Sequence, residues 1–391
     1  MSLTFEEVLI QHKKKGHFRE RKVLQNLAGM QRCYNDKNFC SFSSNDYLGL
    51  AKHPAVIKSF KQAADDYGVG SGSSHFLGAY NRFHHELELA LAEFLNFPKV
   101  LVFSTGYMAN LGILGSLLQR RSAVFADKLS HASLIDGAKL TGAPFKRFPH
   151  NNLASLEKHL MQSISRQKFI MTDGVFSMDG DIALLPSLVE ITRKFSSTLL
   201  VDDAHGIGVL GKNGVGICEH FGCKPDILSG GFGKAFGCFG GFAASSEVII
   251  ENLIQFARPY MYTTALPAAL AKAAHTSLLL FQTESWRREK LQSLITYFKQ
   301  MAQQLDLPIL ASQTPIQPIL VKNTEQTMAL SAYLLQNGFL VSAIRPPTVP
   351  ENTSRLRISL SALHSENEID RLLEQIATGL KLIQINDNTI R

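Results

Sequence analysis

Hydrophobic positions along the chain form short apolar runs that alternate with stretches of helical periodicity. Between about residues 54 and 250, segments such as 86–95 and 108–118 carry apolar side chains every three or four positions. Short buried strands separated by helices are typical of a mostly parallel sheet covered on both faces. The predicted strands are Val100–Phe103, Ala123–Ala126, Phe169–Thr172, Thr198–Val201 and Gly241–Ala244.

The two ends of the chain have a different pattern. Residues 1–36 predict an amphipathic helix and a polar connection, and a helix-rich stretch runs from about 267 to 305. Strands and a closing helix are mixed in the C-terminal part, which is typical of an α+β domain. The strands predicted here are Phe39–Phe42, Pro318–Val321, Phe339–Val341 and Leu356–Leu360, and the closing helix is Glu366–Leu382.

These patterns divide the chain into three predicted parts. Residues 1–50 form an N-terminal helix with the segment that follows it, and residues 51–266 form a large α/β domain. Residues 267–391 form a smaller C-terminal domain with its linking helices. A length of 391 residues agrees with this division, because a single domain typically has about 150 residues.

Composition excludes several classes of protein. With 45% hydrophobic and 19% charged residues, the chain is neither disordered nor fibrous. Five cysteines without CxxC spacing predict neither a disulfide scaffold nor a metal site. We find no signal peptide, and the most apolar long window, 265–281, contains Pro267 and Lys272. We therefore expect a cytoplasmic protein that does not enter a membrane.

The net charge of +7 is spread along the chain. Recognition of nucleic acid requires a basic face with interleaved aromatic residues or a known module, and the sequence has neither. We therefore expect no nucleic-acid partner. A positive balance is compatible with a small anionic substrate or with an acidic carrier protein.

Polar residues follow the predicted strands at the points where ligands bind in a parallel sheet, the carboxyl ends of the strands. Each of them also has an ordinary structural explanation, as a helix cap, a turn residue or a solvated side chain. Their combination is what indicates a site. The candidates, in chain order, are Gly106, Tyr107, His131, Ser177, Asp202, His205 and Lys234.

One cofactor requires this combination of groups. Pyridoxal 5′-phosphate takes a lysine amine for covalent attachment, a carboxylate beside its pyridinium nitrogen and amide donors around its phosphate. Lys234, Asp202 and the helix that starts near Gly106 can supply these groups. His205 is placed to bond the phenolic oxygen of the ring, and His131 is placed to stack on the ring face.

A nucleotide site is the alternative interpretation of the same region. Residues 206–211 fit GxGxxG directly after a strand, and residues 206–212 nearly fit GxxxxGK. Gly214 and Gly216 oppose the helix that either motif requires, and Asn213 occupies the position of the magnesium-binding Ser or Thr. A nucleotide-dependent oxidoreductase is therefore the weaker interpretation.

Several strings of the chain resemble the α-oxoamine synthases, which are fold-type I pyridoxal-phosphate enzymes. The similarity extends over nearly the whole chain, and the order and spacing of the strings make it specific. It implies a large domain with a mostly parallel central sheet and a smaller C-terminal α+β domain. The matching strings are SFSSNDYLGL (41–50), DKLSHASLIDG (127–137), DGVFSMDGD (173–181), VDDAHGIGVLG (201–211), FGKAFG (232–237), AIRPPTV (343–349) and RLRISLSALH (355–364).

The resemblance implies a role for each matching residue. Lys234 corresponds to the lysine joined to the cofactor and Asp202 to the partner of the pyridinium nitrogen. Together with the stacking His131, these are the expected catalytic residues. Further expected cofactor contacts are Gly106, Tyr107, Ser177, His205 and, from the partner subunit of a homodimer with a shared active site, Thr263 and Thr264. The expected substrate contacts are Arg357, which would hold the amino-acid carboxylate, and Arg19, Asn45, His75 and Thr348.

The resemblance also implies a reaction. L-Alanine condenses with a pimeloyl thioester and loses carbon dioxide, which gives 8-amino-7-oxononanoate and a free thiol in biotin biosynthesis. The donor is pimeloyl-coenzyme A or a pimeloyl-acyl-carrier protein, and the sequence leaves that choice and the acyl-chain length open. A sibling enzyme such as 2-amino-3-ketobutyrate CoA ligase is the nearest alternative. A non-catalytic binding module is a third, opposed by the intact Lys234, Asp202 and His205.

Two positions depart from the pattern of the family. Many relatives have a phosphate-binding threonine three residues before the lysine, where this chain has Gly231. Ser229, a neighbouring amide or a threonine of the partner subunit must then hold the phosphate. His75 occupies a position where other branches of the family have arginine, which favours the biotin branch.

Overall fold

A computed structural model describes residues 4–389 and the side chains of residues 4–383. These residues form two compact units. The larger unit comprises residues 46–177 and 181–288, and the smaller comprises residues 4–45, 178–180 and 289–389. No helix among the described residues is both long enough and apolar enough to cross a membrane.

The elements of both units are numbered here in chain order. The strands are β1 (Gln25–Asn26), β2 (Gln31–Tyr34), β3 (Lys37–Ser41), β4 (Lys99–Phe103), β5 (Ala123–Asp127), β6 (Phe145–Phe148), β7 (Lys168–Asp173), β8 (Thr198–Asp202), β9 (Ile227–Gly231), β10 (Gly241–Ser245), β11 (Ile316–Lys322), β12 (Phe339–Leu340), β13 (Ser342–Ile344) and β14 (Ser354–Ser359). The α-helices are α1 (Phe5–Lys14), α2 (Pro54–Tyr67), α3 (Arg82–Leu95), α4 (Gly106–Leu117), α5 (Ala132–Leu140), α6 (Leu153–Met161), α7 (Leu185–Lys194), α8 (Ile217–Phe221), α9 (Glu247–Phe256), α10 (Arg258–Met261), α11 (Ala268–Thr283), α12 (Trp286–Gln304), α13 (Thr324–Gln336) and α14 (Glu366–Thr389).

The larger unit is built on a seven-stranded sheet of order β4-β10-β9-β8-β7-β5-β6. Strand β10 runs antiparallel to both of its neighbours, and the other strands run parallel to one another. The prediction of an α/β fold with a mostly parallel sheet is therefore confirmed. The direction of β10 was not predictable, because a strand buried on both faces is apolar whichever way it runs.

Apolar side chains fix the packing of α4 and α5 on this sheet. Phe103, Leu114 and Met171 are among the fully buried members of one hydrophobic cluster, and each contributes about 1.5–3 kcal/mol by burial. Small residues let the helices approach closely: a Cβ at Gly137 would lie 2.8 Å from Leu114 Cδ1. This close contact fixes the distance between α4 and α5.

The smaller unit contains two sheets, of order β1-β2-β3-β12 and β11-β14-β13. The predicted strand Phe339–Val341 is shorter than expected and ends at Leu340, because Ser342 begins β13 in the other sheet. Phe42 stacks on His364 at a ring-centroid distance of 4.1 Å. Four short strands, β1, β2, β6 and β13, were not predicted.

Candidate active site

Asp202 lies at the carboxyl end of β8, between the ends of two parallel neighbours. Its register partners are Asp173 on β7 and Ser229 on β9. One carboxylate oxygen accepts a hydrogen bond from the Ala204 N–H at 3.0 Å, and the other accepts one from the Asn110 amide at 2.6 Å. These bonds fix the orientation of the carboxylate before any ligand binds.

Asp173, the neighbour of Asp202, is also part of this edge. It is buried and accepts a hydrogen bond from the His131 N–H at 3.0 Å. Burial raises the pKa of Asp173 well above its usual value, and the negative charge of Asp202 adds to that effect. A raised pKa favours the neutral form of Asp173.

His131 is the N-cap of α5, and its ring projects from the same edge. Its Nδ1 atom lies 2.7 Å from Ser133 Oγ, and its ring meets that of Tyr107 edge-on at 6.2 Å. Surrounding protein atoms lower the pKa of His131, while the Asp202 carboxylate partly opposes that shift. A neutral imidazole in this place can stack on an aromatic ligand without carrying charge.

The N-terminus of α4 lies at the end of β4 and provides donors for an anion. Thr105 caps the helix by accepting the Met108 N–H at 3.0 Å, and the backbone ladder begins with the Ala109 N–H donating to the Thr105 carbonyl. The N–H groups of Gly106 and Tyr107 precede that ladder. Such groups, together with the helix dipole, form an anion-binding site.

Lys234 lies in the turn that follows β9 and is half-buried. Its positive charge lies close enough to oppose the raised pKa of Asp173 and of the neighbouring Asp203. The turn is closed by the Gly237 N–H, which donates to the Lys234 carbonyl at 2.8 Å. Gly237 has φ +63°, and a Cβ there would lie 2.3 Å from Ala51 N, so only glycine fits.

His205 and Ser177 lie in loops of the same unit. His205 is buried, and its Nδ1 atom lies 2.7 Å from the hydroxyl oxygen of Tyr47. Ser177 is half-buried in the loop that follows β7. Sequence analysis included Tyr47 only as part of the string SFSSNDYLGL, and the pairing of Tyr47 with His205 links two segments 158 residues apart.

Thr263 and Thr264 follow α10. Thr263 donates its hydroxyl proton to the Pro259 carbonyl, and the Thr264 carbonyl accepts a hydrogen bond from Ser104 Oγ at 3.0 Å. The pair is therefore connected to the segment that precedes α4. The side chain of Thr264 is exposed.

His75 occupies a separate position, against Tyr260 of α10. The two rings stack with their centroids 4.3 Å apart, and neither ring nitrogen of the buried His75 has a hydrogen-bond partner. Burial lowers the pKa of His75 to about 4. The residue lines a cavity of about 360 Å³ together with Tyr80 and Glu88.

Residues 206–216 form turns rather than a helix, which excludes the nucleotide motif. Gly208, Gly211, Gly214 and Gly216 all have φ between +79° and +97°. These values lie outside the helical region, and α8 begins only at Ile217. The N-terminal helix turn that would hold a pyrophosphate is therefore absent from residues 206–216.

The smaller unit brings together the remaining predicted residues in two pairs. Arg357 on β14 is buried, and both of its terminal nitrogens donate to Asn45 Oδ1 at 3.3 Å. Its Nη1 atom also donates to Ser359 Oγ at 2.7 Å. Arg19 donates to Thr348 Oγ1 at 2.7 Å, and both of these residues are exposed.

Similarity to known proteins extends over nearly the whole chain. The model of the aminotransferase class I and II family matches residues 37–376. An 8-amino-7-oxononanoate synthase of Nitrosococcus oceani is 51% identical over 366 residues, which cover 93% of this chain and 97% of that protein. A second, from Saccharophagus degradans, is 49% identical over 369 residues and 93% of each chain.

Solved structures are also similar to this chain over most of its length. The 8-amino-7-oxononanoate synthase of Francisella tularensis has a TM-score of 0.77 at 36% identity and covers 88% of this chain and 98% of its own. A serine palmitoyltransferase from S. paucimobilis with a bound PLP–myriocin adduct has a TM-score of 0.93 at 30% identity. The match covers 97% of this chain and 98% of the transferase chain.

The chain therefore belongs to the aminotransferase class I and II family, and within it to the group of 8-amino-7-oxononanoate synthases. The expected resemblance to the α-oxoamine synthases and the expected fold are both confirmed.

Proposed function

We propose that this chain is a pyridoxal-phosphate-dependent enzyme that condenses L-alanine with a pimeloyl thioester. The products are 8-amino-7-oxononanoate, carbon dioxide and the free thiol, and the pathway served is biotin biosynthesis. Identities of 46–51% to synthases of this name over most of the chain support the assignment.

One structural observation supports it most strongly: Asp202 is held at the carboxyl edge of the sheet, next to a carboxyl group whose neutral form is favoured. The donor set there fits pyridoxal phosphate. Asp202 can hold the pyridinium nitrogen, the Lys234 amine can bind the aldehyde carbon, and the first amides of α4 can hold the phosphate.

When bound, the cofactor supplies an electron sink that stabilises a carbanion at the amino-acid Cα. In the assignment proposed here, Asp202 keeps a proton on the ring nitrogen. Lys234 Nζ takes the Cα proton of alanine and returns a proton to the same carbon after carbon dioxide has left. Each residue thereby acts on one proton at a defined atom.

The histidines and Ser177 have supporting roles in this proposal. His131 covers the ring face and polarises the thioester carbonyl, and its lowered pKa agrees with an uncharged stacking group. His205 is assigned to the phenolic oxygen of the ring. Ser177 is assigned a polar contact to the cofactor.

Because Gly231 replaces the threonine of many relatives, other groups must hold the phosphate in this proposal. The hydroxyl of Ser229 has one proton, and that proton is donated to Asn110 Oδ1 at 2.7 Å. Ser229 is therefore not a phosphate donor. We assign the phosphate to the amides of Gly106 and Tyr107 and to threonines of a partner subunit.

The substrate contacts are assigned by resemblance to the family. Arg357, already oriented by Asn45, is assigned to the carboxylate of alanine through a bidentate pair. Arg19, Thr348 and His75 are assigned to the substrates with it. Which thioester is used, that of coenzyme A or of an acyl-carrier protein, is a question for the assay.

We also propose a cytoplasmic homodimer in which Thr263 and Thr264 serve the site of the partner subunit. Several large apolar side chains close to these segments are exposed on a single chain, which supports an interface. They include Phe76, Leu77 and Tyr262. The domain bounds at residues 50 and 266 remain a proposal.

The decisive assay uses the cofactor-loaded protein with L-alanine, glycine or L-serine in separate reactions. Each is combined with pimeloyl-coenzyme A or with a pimeloyl-acyl-carrier protein, and the products are identified by mass spectrometry. We expect 8-amino-7-oxononanoate from alanine. A preference for glycine would instead assign the chain to a sibling activity such as 2-amino-3-ketobutyrate CoA ligase.

A further inference from the structure

Asn110 connects the two groups that flank the proposed cofactor ring. It lies one turn into α4 and has no exposed surface. Its amide nitrogen donates to Asp202 Oδ2 at 2.6 Å and to Ser133 Oγ at 2.9 Å. Its amide oxygen accepts a proton from Ser229 Oγ at 2.7 Å.

The orientation of the Asn110 amide follows from these contacts. An ionised carboxylate can only accept hydrogen bonds, so the atom 2.6 Å from Asp202 must be the nitrogen. The oxygen then faces Ser229, whose hydroxyl must donate to it. Every donor and acceptor of the amide side chain is used, as is expected for a polar group without solvent contact.

This orientation determines the proton on Ser133. Because Ser133 Oγ accepts from Asn110, its own proton is free to bond to His131 Nδ1, 2.7 Å away. The Ser133 N–H also points to Nδ1, at 3.3 Å. A nitrogen that accepts from two donors carries no proton, so the proton of the neutral imidazole is on Nε2.

We propose that Asn110 is a positioning residue that holds the Asp202 carboxylate and fixes His131 as the Nε2–H tautomer. The Asn110 amide thereby orients the Asp202 carboxylate toward the ring nitrogen and leaves the Nε2–H of His131 to face the substrate. The inference rests on the proposed roles of Asp202 and His131. In it, His131 polarises the thioester oxygen by donating a hydrogen bond from Nε2 and does not give up a proton.

Nitrogen NMR of the cofactor-loaded full chain labelled with ¹⁵N-histidine tests the tautomer directly. The signals of His131 are assigned as those lost in His131→Asn. In the wild-type protein we expect an unprotonated Nδ1 and a protonated Nε2 at neutral pH. In Asn110→Ala we expect a mixture of tautomers, together with a dissociation constant for pyridoxal phosphate that is about tenfold higher.

Two single substitutions separate the branches of the network. Ser133→Ala removes the hydroxyl that bonds to His131 Nδ1 and accepts from Asn110, but it leaves the bond from Asn110 to Asp202 in place. It should therefore mix the tautomers and leave the cofactor dissociation constant within about threefold of wild type. Ser229→Ala is the matched control, because Asp202 alone still orients the Asn110 amide. In this variant we expect His131 to remain the Nε2–H tautomer. If Asn110→Ala does not fold, the comparison of these two serine variants provides the test.

A single tautomer in Asn110→Ala, or in Ser133→Ala, with the nitrogen shifts of wild type would overturn the proposal. Wild-type cofactor affinity in a folded Asn110→Ala would also overturn it. These measurements need only pyridoxal phosphate, so they are independent of whether alanine and a pimeloyl thioester are the substrates.

Discussion

Asp173 and Asp202 are register partners at the ends of adjacent parallel strands, and the structure gives them opposite properties. Asp173 is buried, with a raised pKa, and accepts from the His131 N–H. Asp202 is only half-buried and accepts from two donors. The pair lies at the edge of the sheet where we propose that the pyridinium nitrogen binds.

The two carboxyl groups should therefore respond differently to the same substitution. Asp202→Asn removes the charge that opposes the pyridinium nitrogen, and we expect kcat/KM to fall by about 10²-fold or more. Asp173→Asn keeps an acceptor for the His131 N–H and replaces a side chain that is already favoured in its neutral form, so we expect a loss below about fivefold. Steady-state kinetics of both variants, with cofactor affinity measured alongside, check this contrast. Equal losses would contradict the assignment of the charge to Asp202.

Gly231 and Gly241 are cross-strand partners, and a side chain should have opposite effects at the two positions. A Cβ at Gly231 has 3.7 Å to its nearest neighbour, whereas a Cβ at Gly241 would lie 2.3 Å from Gly106 N. The Gly231 backbone lies next to the start of α4, because a Cβ at Gly106 would lie 3.7 Å from Gly231 Cα. If a serine hydroxyl at position 231 bonds to the phosphate, we expect pyridoxal phosphate to dissociate at least about threefold more slowly from Gly231→Ser. Gly241→Ser, the matched control, should destabilise the first turn of α4 and weaken binding. Stopped-flow release of the cofactor measures both, and faster release from Gly231→Ser would remove that position from the phosphate site.

Arg357 should determine affinity for the amino acid without affecting the cofactor. Lysine at this position keeps the charge but cannot bond at once to Asn45 and Ser359 and also pair in bidentate fashion with a carboxylate. For Arg357→Lys we expect the KM for L-alanine to rise by about 10- to 100-fold. The KM for the acyl thioester, measured in the same assay, serves as the internal control. An unchanged KM for alanine would assign its carboxylate to another residue.

His150 connects Asp127 and Asp181, at 3.0 and 2.6 Å, and should make stability dependent on pH. Burial alone would lower the pKa of His150, but hydrogen bonds to the two carboxylates outweigh it and raise the pKa to about 9. Because the pKa of His150 is higher in the folded than in the unfolded protein, its protonation stabilises the folded state. This contribution is complete at pH values below the unfolded-state pKa of about 6.5, and it is lost as the pH rises toward 9.

The corresponding experiment compares unfolding of His150→Gln and wild type in urea. We expect the variant to lose about 1–2 kcal/mol at pH 6, allowing for solvent screening of a partly exposed pair, and distinctly less at pH 10. The exposed His220→Gln is the control and should show no such pH dependence. A loss for His150→Gln that is equal at both pH values would contradict a charged His150.

Much of the site was predictable because the chemistry follows the strands. Asp202 directly follows the apolar run 198–201, and Lys234 follows Ile227 and Leu228 after a glycine-rich turn. The rule that ligands bind at the carboxyl ends of strands predicted that these two residues share one site. Thr105 and Gly106 were recognisable as a helix start for the same reason. The sequence pattern therefore predicted which groups gather at this edge of the sheet, where we propose that the cofactor binds.

The second layer of the site was not predictable. Asn110 is a single amide in an otherwise apolar helix, and its three partners come from positions 133, 202 and 229, so no local spacing marks it. The edge strand β6, Phe145–Phe148, was missed because two of its four residues are the exposed Lys146 and Arg147. Contacts between distant segments, such as those of Asn110, leave no periodic signal in the sequence.

The central claim is that the amine of Lys234 carries the cofactor, and chemical trapping tests it most directly. The loaded protein is reduced with borohydride, which fixes any carbon–nitrogen bond between a lysine amine and pyridoxal phosphate, and its peptides are mapped by mass spectrometry. We predict the added mass on the peptide that contains Lys234, and its absence from Lys234→Ala. Labelling of a different lysine in the wild-type protein, or undiminished labelling in that variant, would contradict the account.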